Sequence, residues 1–347
     1  MENTCPTLPS DIIYEVLTRV PLQSLQWFRH VCAEWQQMIH QTYFIKLHSE
    51  RTKTLNGYFI QSLEKNKYYS SFVSMNQNPS VSTPSLEFLP KNVKIEASSS
   101  IHGLLCCTIQ DRPIQYLICK PATKEGRKIP NPKARYFTER VEIVVQSSAP
   151  LQYKIIRFSQ PNRNKDHLIC EIFDSRSWKW RRSIDIRMGY YDELLSLGCG
   201  VLINGSLHWL TNYNRIFAFD VDNENWKMIS LPQQQLSVIN EDFLNKKVVE
   251  YEGCLSLCYY KETWMELWVM KDSNREVWER KKTINIEGYH PIFADLYTSE
   301  VAFLLDVFKV IWYNFQLHKS TETKISRWIA QEAYIYKSDL TPLIHTR

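Results

Sequence analysis

The chain changes its hydrophobic rhythm once, near residue 50. Before that point apolar positions recur at helical spacing. Ile12, Ile13, Val16, Leu17 and Val20 fall at offsets 0, 1, 4, 5 and 8, one stripe along a helix. Ser10 or Asp11 stands where a cap would open this helix, and Pro21 where the chain must leave it. Leu22, Leu25 and Phe28 predict a second short helix. Val31, Trp35, Met38 and Ile39 predict a third, and Phe44 and Leu47 extend the apolar surface. A unit of roughly 45 residues is near the size at which a core no longer sustains itself without staples. This one offers no cysteine pair or metal-ligand set. Its apolar surface therefore packs on the rest of the chain or waits for another protein.

From Asn56 onward the pattern becomes short strand-like runs separated by turn signals. The Pro/Ser-rich stretch VSMNQNPSVSTPSLEFLPKN and the stretch SQPNRNKD read as loops, the second as a hairpin tip. The Asn-Gly pairs at 56–57 and 204–205 predict tight hairpin turns.

A repeat emerges when the tryptophans are aligned. Asp174, Asp220 and Asp272 each stand six residues before a tryptophan: Trp180, Trp226 and Trp278. The Trp-to-Trp intervals are 46 and 52 residues, and Lys120…Gly126 is an earlier, degenerate copy. Each copy follows an apolar run and precedes a basic-flanked one, so the unit reads strand, turn with an Asp, strand with an inward Trp. Trp312 falls outside this spacing. Gly103, Gly205 and Gly253 mark a second recurring turn. A period of about 50 residues with four strands per unit is the kelch-like propeller signature. The clear units are 100–130, 141–186, 200–232 and 247–286, and segments 56–90 and 292–340 supply the rest of about six blades.

Two resemblances follow from these residues. The segment LPSDIIYEVLTRVPLQSLQWFRHVCAEWQQMI resembles an F-box, although Ala33-Glu34 stand where many relatives place a Lys after the Cys. The resemblance implies docking onto a Skp-family adaptor, and through it a cullin, with Leu8, Pro9, Ile13, Leu17, Pro21, Leu25, Val31 and Trp35 as the adaptor-binding positions. Most of residues 100 to 290 resembles the F-box-associated, kelch-like interaction domain of plant F-box proteins, with departures at Lys120 (commonly Asn) and Gly126 (commonly Trp). That resemblance implies a target-recruiting module.

The expected fold class is therefore α+β and multidomain. A helical F-box occupies residues 1–50, a linker with the first strands 51–99, and an all-β kelch-like propeller 100–345. The hydrophobic share of 44% against 23% charged residues fits a globular chain. A net charge of +5 spread over 347 residues does not form the basic stripe that nucleic acid requires. MENTCPTLPS has neither the basic start nor the apolar run of a secretory leader. The most apolar later stretch, 301–315, is too short to span a bilayer and carries Asp306 and Lys309. Nine scattered cysteines then read as reduced thiols of the cytoplasm or nucleus.

Candidate chemistry is thin. Cys254 with Cys258, and Cys106 with Cys107, lack the second ligand pair of a zinc site and read as buried thiols. His208 lies in an apolar strand pattern beside Trp209, where a packed histidine is expected. The repeated Asp residues invite a glycosidase reading, but one turn position repeated is better explained by turn hydrogen bonding. The expectation is a substrate-recognition subunit of an SCF-type ubiquitin ligase, without catalytic residues, metal or cofactor of its own. The alternatives are a glycan-binding F-box protein and an F-box protein acting outside a cullin ligase.

Overall fold

Four short helices, α1 (Ser10–Leu17), α2 (Leu22–Phe28), α3 (Ala33–Ile39) and α4 (Thr42–Thr52), precede a succession of β-strands. This is a computed structural model, and it describes residues 9–343 apart from 40, 53, 76–82, 100, 111–112, 134–135, 149, 162–166, 190–192, 196–198, 233–244, 262, 290, 326–329 and 339–342. The helices enclose a core of their own, with Leu17, Leu25, Met38 and Phe44 buried and Ile13, Phe28 and Trp35 packed against them. Two terminators differ from the sequence reading. Pro9 precedes α1 with no side-chain cap, and the Ser10 hydroxyl instead donates to Glu34 across the module at 3.0 Å. α1 closes at Thr18, so Pro21 starts α2, where its fixed φ of −56° suits a helix entry.

The strands form six sheets arranged as propeller blades. Blade I is β3 (Val93–Ser98), β4 (Leu105–Ile109), β5 (Gln115–Lys120) and β6 (Glu125–Lys128), and blade II is β7 (Phe137–Ser148), β8 (Leu151–Gln160), β9 (His167–Asp174) and β10 (Lys179–Arg187). Blade III is β11 (Val201–Ile203), β12 (Ser206–Leu210), β13 (Arg215–Asp220) and β14 (Asn225–Ser230), and blade IV is β15 (Lys246–Tyr251), β16 (Cys254–Tyr260), β17 (Trp264–Asp272) and β18 (Val277–Asn285). Blade V is β19 (Phe293–Leu296), β20 (Val301–Leu305), β21 (Lys309–Asn314) and β22 (Lys319–Lys324). The sixth sheet joins the two ends of the domain. β1 (Leu55–Glu64) lies between β2 (Lys67–Val73) and β23 (Ala330–Ser338), pairing Leu55 with Ser338 and Tyr58 with Ile335. The ring is thereby closed by hydrogen bonds between chain segments almost 300 residues apart. The propeller begins at Leu55, so the boundary drawn at residue 100 falls inside blade I.

Each pair of neighbouring blades shares one apolar cluster. In blade V, Val310 and Trp312 face the closing blade, while Ile311 and Tyr313 face blade IV. A blade strand thus buries both its faces, and its apolar run is continuous because alternate residues serve different cores.

The Asp-to-Trp repeat is a hairpin between the third and outermost strands. Asp174 Oδ1 accepts the Arg176 N–H (2.7 Å), Asp220 Oδ1 those of Asp222 and Asn223 (3.0 and 2.8 Å), and Asp272 Oδ1 those of Asn274 and Arg275 (2.9 and 3.1 Å). Asn314 forms the same turn in blade V. Four residues after each anchor, Lys124, Trp178, Glu224, Glu276 and His318 all adopt a positive φ. The repeat therefore has five copies, and the sequence reading missed the one at Asn314.

The tryptophans are equivalent but not inward. Trp180, Trp226 and Trp278 are half-buried on outermost strands, each packed toward the preceding blade. Trp180 Nε1 donates to the Pro130 carbonyl at 2.6 Å, and Trp278 Nε1 to that of Ser230 at 2.9 Å. Where Gly126 replaces Trp, Leu89 and Phe88 fill the space: a Cβ at Gly126 would lie 3.0 Å from Leu89 Cδ2. In blade V, Ser320 takes the Trp position and accepts the Tyr289 hydroxyl at 2.8 Å. Trp312, outside the pattern, is the deeply buried one, at 1% exposure.

The turn at Asn204-Gly205 forms with both residues at positive φ, like Glu252-Gly253 and His102-Gly103. Asn56-Gly57 does not turn. It lies within β1, where a Cβ on Gly57 would meet the Val73 carbonyl at 2.2 Å. Here the glycine serves close strand approach. The stretch 301–315 is β20 and β21, and no helix among the described residues is long and apolar enough to cross a membrane.

Candidate functional site

Three features of the molecule can meet a partner: the outer face of the helices, one end of the propeller, and its central cavity. On the helices, the predicted adaptor-binding residues divide. Leu17 and Leu25 are core, at 1% and 5% exposure, Ile13 and Trp35 are half-buried against that core, and Pro9, Pro21 and Val31 are exposed. Leu8 lies outside the described residues. The exposed apolar surface comes from neighbours of the core positions: Ile12 and Val16, one turn apart on α1, Trp27 on α2, then Val31 and Tyr43. Their signal was present in the sequence, because a stripe at offsets 0, 1, 4, 5 and 8 is wider than one small core can cover.

The helices are tied to the propeller by polar contacts. Arg29 donates to Glu250 at 2.9 Å with both side chains largely buried, and Gln36 Nε2 donates to the Glu252 carbonyl in the β15–β16 turn. That turn belongs to the end of the propeller where first-to-second and third-to-fourth strand turns lie. In antiparallel blades the other connections must gather at the opposite end. They leave Ile114, Phe137, Tyr213, Ile292 and Phe308 exposed there, away from the helices.

The innermost strands surround a cavity of about 120 Å³. Its charged lining is mostly paired. Lys247 contacts Asp295 at 2.7 Å, Glu250 is held by Arg29, and the Glu252 carboxylate sits beside the Tyr251 hydroxyl. Glu142 is 2% exposed and accepts the Gly200 N–H and, at 3.3 Å, Trp209 Nε1. Burial outweighs those bonds and pushes its carboxyl up to about 8.

The remaining chemical candidates have structural explanations. The repeat aspartates spend Oδ1 on backbone N–H groups. His208 is buried on β12 with Nδ1 3.2 Å from the Val201 carbonyl, and burial lowers it to about 4, so it is neutral and packed. Cys106, Cys107 and Cys258 are buried thiols raised by desolvation. Among the described residues no group of three metal-ligating side chains converges.

A small helical module with surplus apolar surface, fixed to a six-bladed propeller, defines a two-part recruiting protein. Comparison with known proteins agrees: an F-box domain matches residues 6–47, and an F-box associated beta propeller domain matches residues 56–334. The chain belongs to the F-box proteins that carry this propeller domain. It is similar to the F-box protein At5g49610 of Arabidopsis thaliana, 29% identical with 88% of each chain covered. It is also similar to two other Arabidopsis thaliana proteins. For the F-box protein CPR1 the identity is 23%, over 92% of this chain and 84% of the relative. For the F-box/kelch-repeat protein At3g23880 it is 24%, over 84% and 83%.

Proposed function

We propose that this protein is the target-recognition subunit of an SCF-type ubiquitin ligase, binding a Skp-family adaptor with its helices and a target protein with the propeller. The observation that carries the reading is the separation of two exposed apolar surfaces. Ile12, Val16, Trp27 and Val31 lie outside the helical core, and Ile114, Phe137, Tyr213, Ile292 and Phe308 sit at the propeller end away from the helices. The contribution is proximity: a target held on the propeller presents its lysines to the ubiquitin-conjugating enzyme at high effective concentration. The protein works in the cytoplasm or nucleus, a compartment suited to its free cysteines.

The experiment is paired capture from plant extract, with proteasome activity blocked, using the full chain and the variant Phe137→Ser/Phe308→Ser. The expected result is equal recovery of adaptor and cullin by both proteins, with a set of captured proteins lost only from the variant. Equal recovery of every protein by both would remove the far end of the propeller as the target surface, and absence of adaptor from both would remove the ligase reading.

A further inference from the structure

The exposed ring of Phe137 stands on backbone that is fastened on both sides. β7 opens at this residue, at the propeller end away from the helices, and its side chain is 71% exposed. That makes it the most exposed of the five apolar residues named on that end. One buried arginine holds the chain before and after it. Arg157 on β8 donates from Nη2 to the Tyr136 carbonyl at 2.7 Å and from Nε to the Thr138 hydroxyl at 2.9 Å. Its Nη1 pairs with Glu171 on β9, and the two residues are buried, at 3% and 6% exposure. The Thr138 hydroxyl also meets the Tyr116 hydroxyl of blade I at 3.1 Å. The approach from β6 is held as well. Trp180 Nε1 bonds the Pro130 carbonyl, the Asn131 amide donates to the Ile114 carbonyl at 2.6 Å, and Asn131 Oδ1 accepts the Tyr116 N–H at 3.2 Å.

A buried ion pair is weak evidence for stability, because apolar side chains of similar volume often pack a core as well or better. Apolar residues could not bond the carbonyl before Phe137 and the hydroxyl after it. The Arg157–Glu171 pair is therefore explained by position: it orders the backbone beneath an exposed ring. A side chain on backbone already ordered in the free protein avoids part of the entropy that association otherwise costs. Aromatic anchors of this kind carry much of the energy of protein interfaces.

We propose that Phe137 is the anchor of the target-binding face, its ring received by an apolar pocket on the target protein, and that Arg157 is the residue that positions it. The inference deepens the function proposed above and rests on it, since the far end must be the face that meets the target. The partner it fits is a folded protein with a recess of phenyl size, because what Phe137 offers is a protruding, uncharged ring.

The test starts from the full chain with Phe137, or in a parallel protein Phe308, replaced by p-benzoylphenylalanine and photolysed in plant extract with proteasome activity blocked. The expected result is a protein other than adaptor and cullin joined at 137 and identified by mass spectrometry. That protein, purified, is then titrated calorimetrically against variants of the full chain bound to adaptor. Phe137→Ala should weaken binding about tenfold or more, and Phe137→Leu less than about threefold. Arg157→Met/Glu171→Met, which removes both charges together, should weaken binding about fivefold in the parent and not at all beside Phe137→Ala. A merely structural arginine does not produce that non-additivity. Thr138→Val, which removes the hydroxyl that Arg157 bonds, takes its place if the double variant does not fold. Additive losses, or unchanged affinity in the folded variants, would overturn the proposal. Joining at 308 but not at 137 would overturn the anchor and leave the far end as the target face. Joining at neither would remove that face, and the inference with it.

Discussion

Val16 and Leu17 are neighbours in sequence on opposite sides of α1, and they separate docking from folding. Val16 is 53% exposed and Leu17 1%. Val16→Asp places a carboxylate on the surface proposed to meet the adaptor. Burying the exposed half of a valine contributes about 1 kcal/mol, and an unpaired carboxylate in a closed interface costs a further ~2 kcal/mol or more. The sum of about 3 kcal/mol is a loss of more than a hundredfold in Kd. The free protein should lose no more than about 0.5 kcal/mol, because the site faces solvent. Leu17→Ala opens the core shared with Leu25, Met38 and Phe44 and should cost the helical module about 2–5 kcal/mol. Calorimetry with purified adaptor, beside circular-dichroism melts of both variants, reads the two effects separately. A Val16→Asp protein that binds within about threefold of the parent, or melts as early as Leu17→Ala, would refute the assignment of faces.

Trp312→Ala should cost about 3–5 kcal/mol and Trp278→Ala less, about 2–3 kcal/mol, because Trp312 is fully enclosed and Trp278 half-buried, with urea unfolding as the measurement. Equal losses would show that the rim tryptophans carry more of the blade packing than their burial implies. Gly126→Trp, which restores the family's usual residue, should destabilise by about 1–3 kcal/mol, since Leu89 and Phe88 occupy that space; a stabilised variant in the same assay would mean the loop yields. His208 is held neutral, with its folded pKa of about 4 below the ordinary 6.5. Stability from this group is therefore intact above pH 6.5 and declines as pH falls toward 4, by up to about 3 kcal/mol. His208→Gln should flatten that part of the pH–stability curve, and an unchanged slope would locate the acid sensitivity elsewhere.

What the sequence determined by itself was whatever depends on local spacing. Offsets of four in α1, the Asp that anchors three of the outer hairpins and the glycines of the inner turns are constraints within a few residues, so they can be read without a fold. They led to the helical module, the repeat and about six blades. What only the tertiary structure decided depends on which element stands beside which. The apolar stripe of α1 could not say that Leu17 faces inward and Val16 outward, because that depends on where α2, α3 and α4 pack. The tryptophans of the repeat looked like core residues, but a strand buried on both faces serves two clusters, and only blade order shows that these three sit at the rim. Gly57 carried the signature of a turn, but it is a close approach of β1 to Val73. The closing pairing of β1 with β23 joins residues from opposite ends of the chain. No window of sequence contains them, because the contact is made by closing the ring.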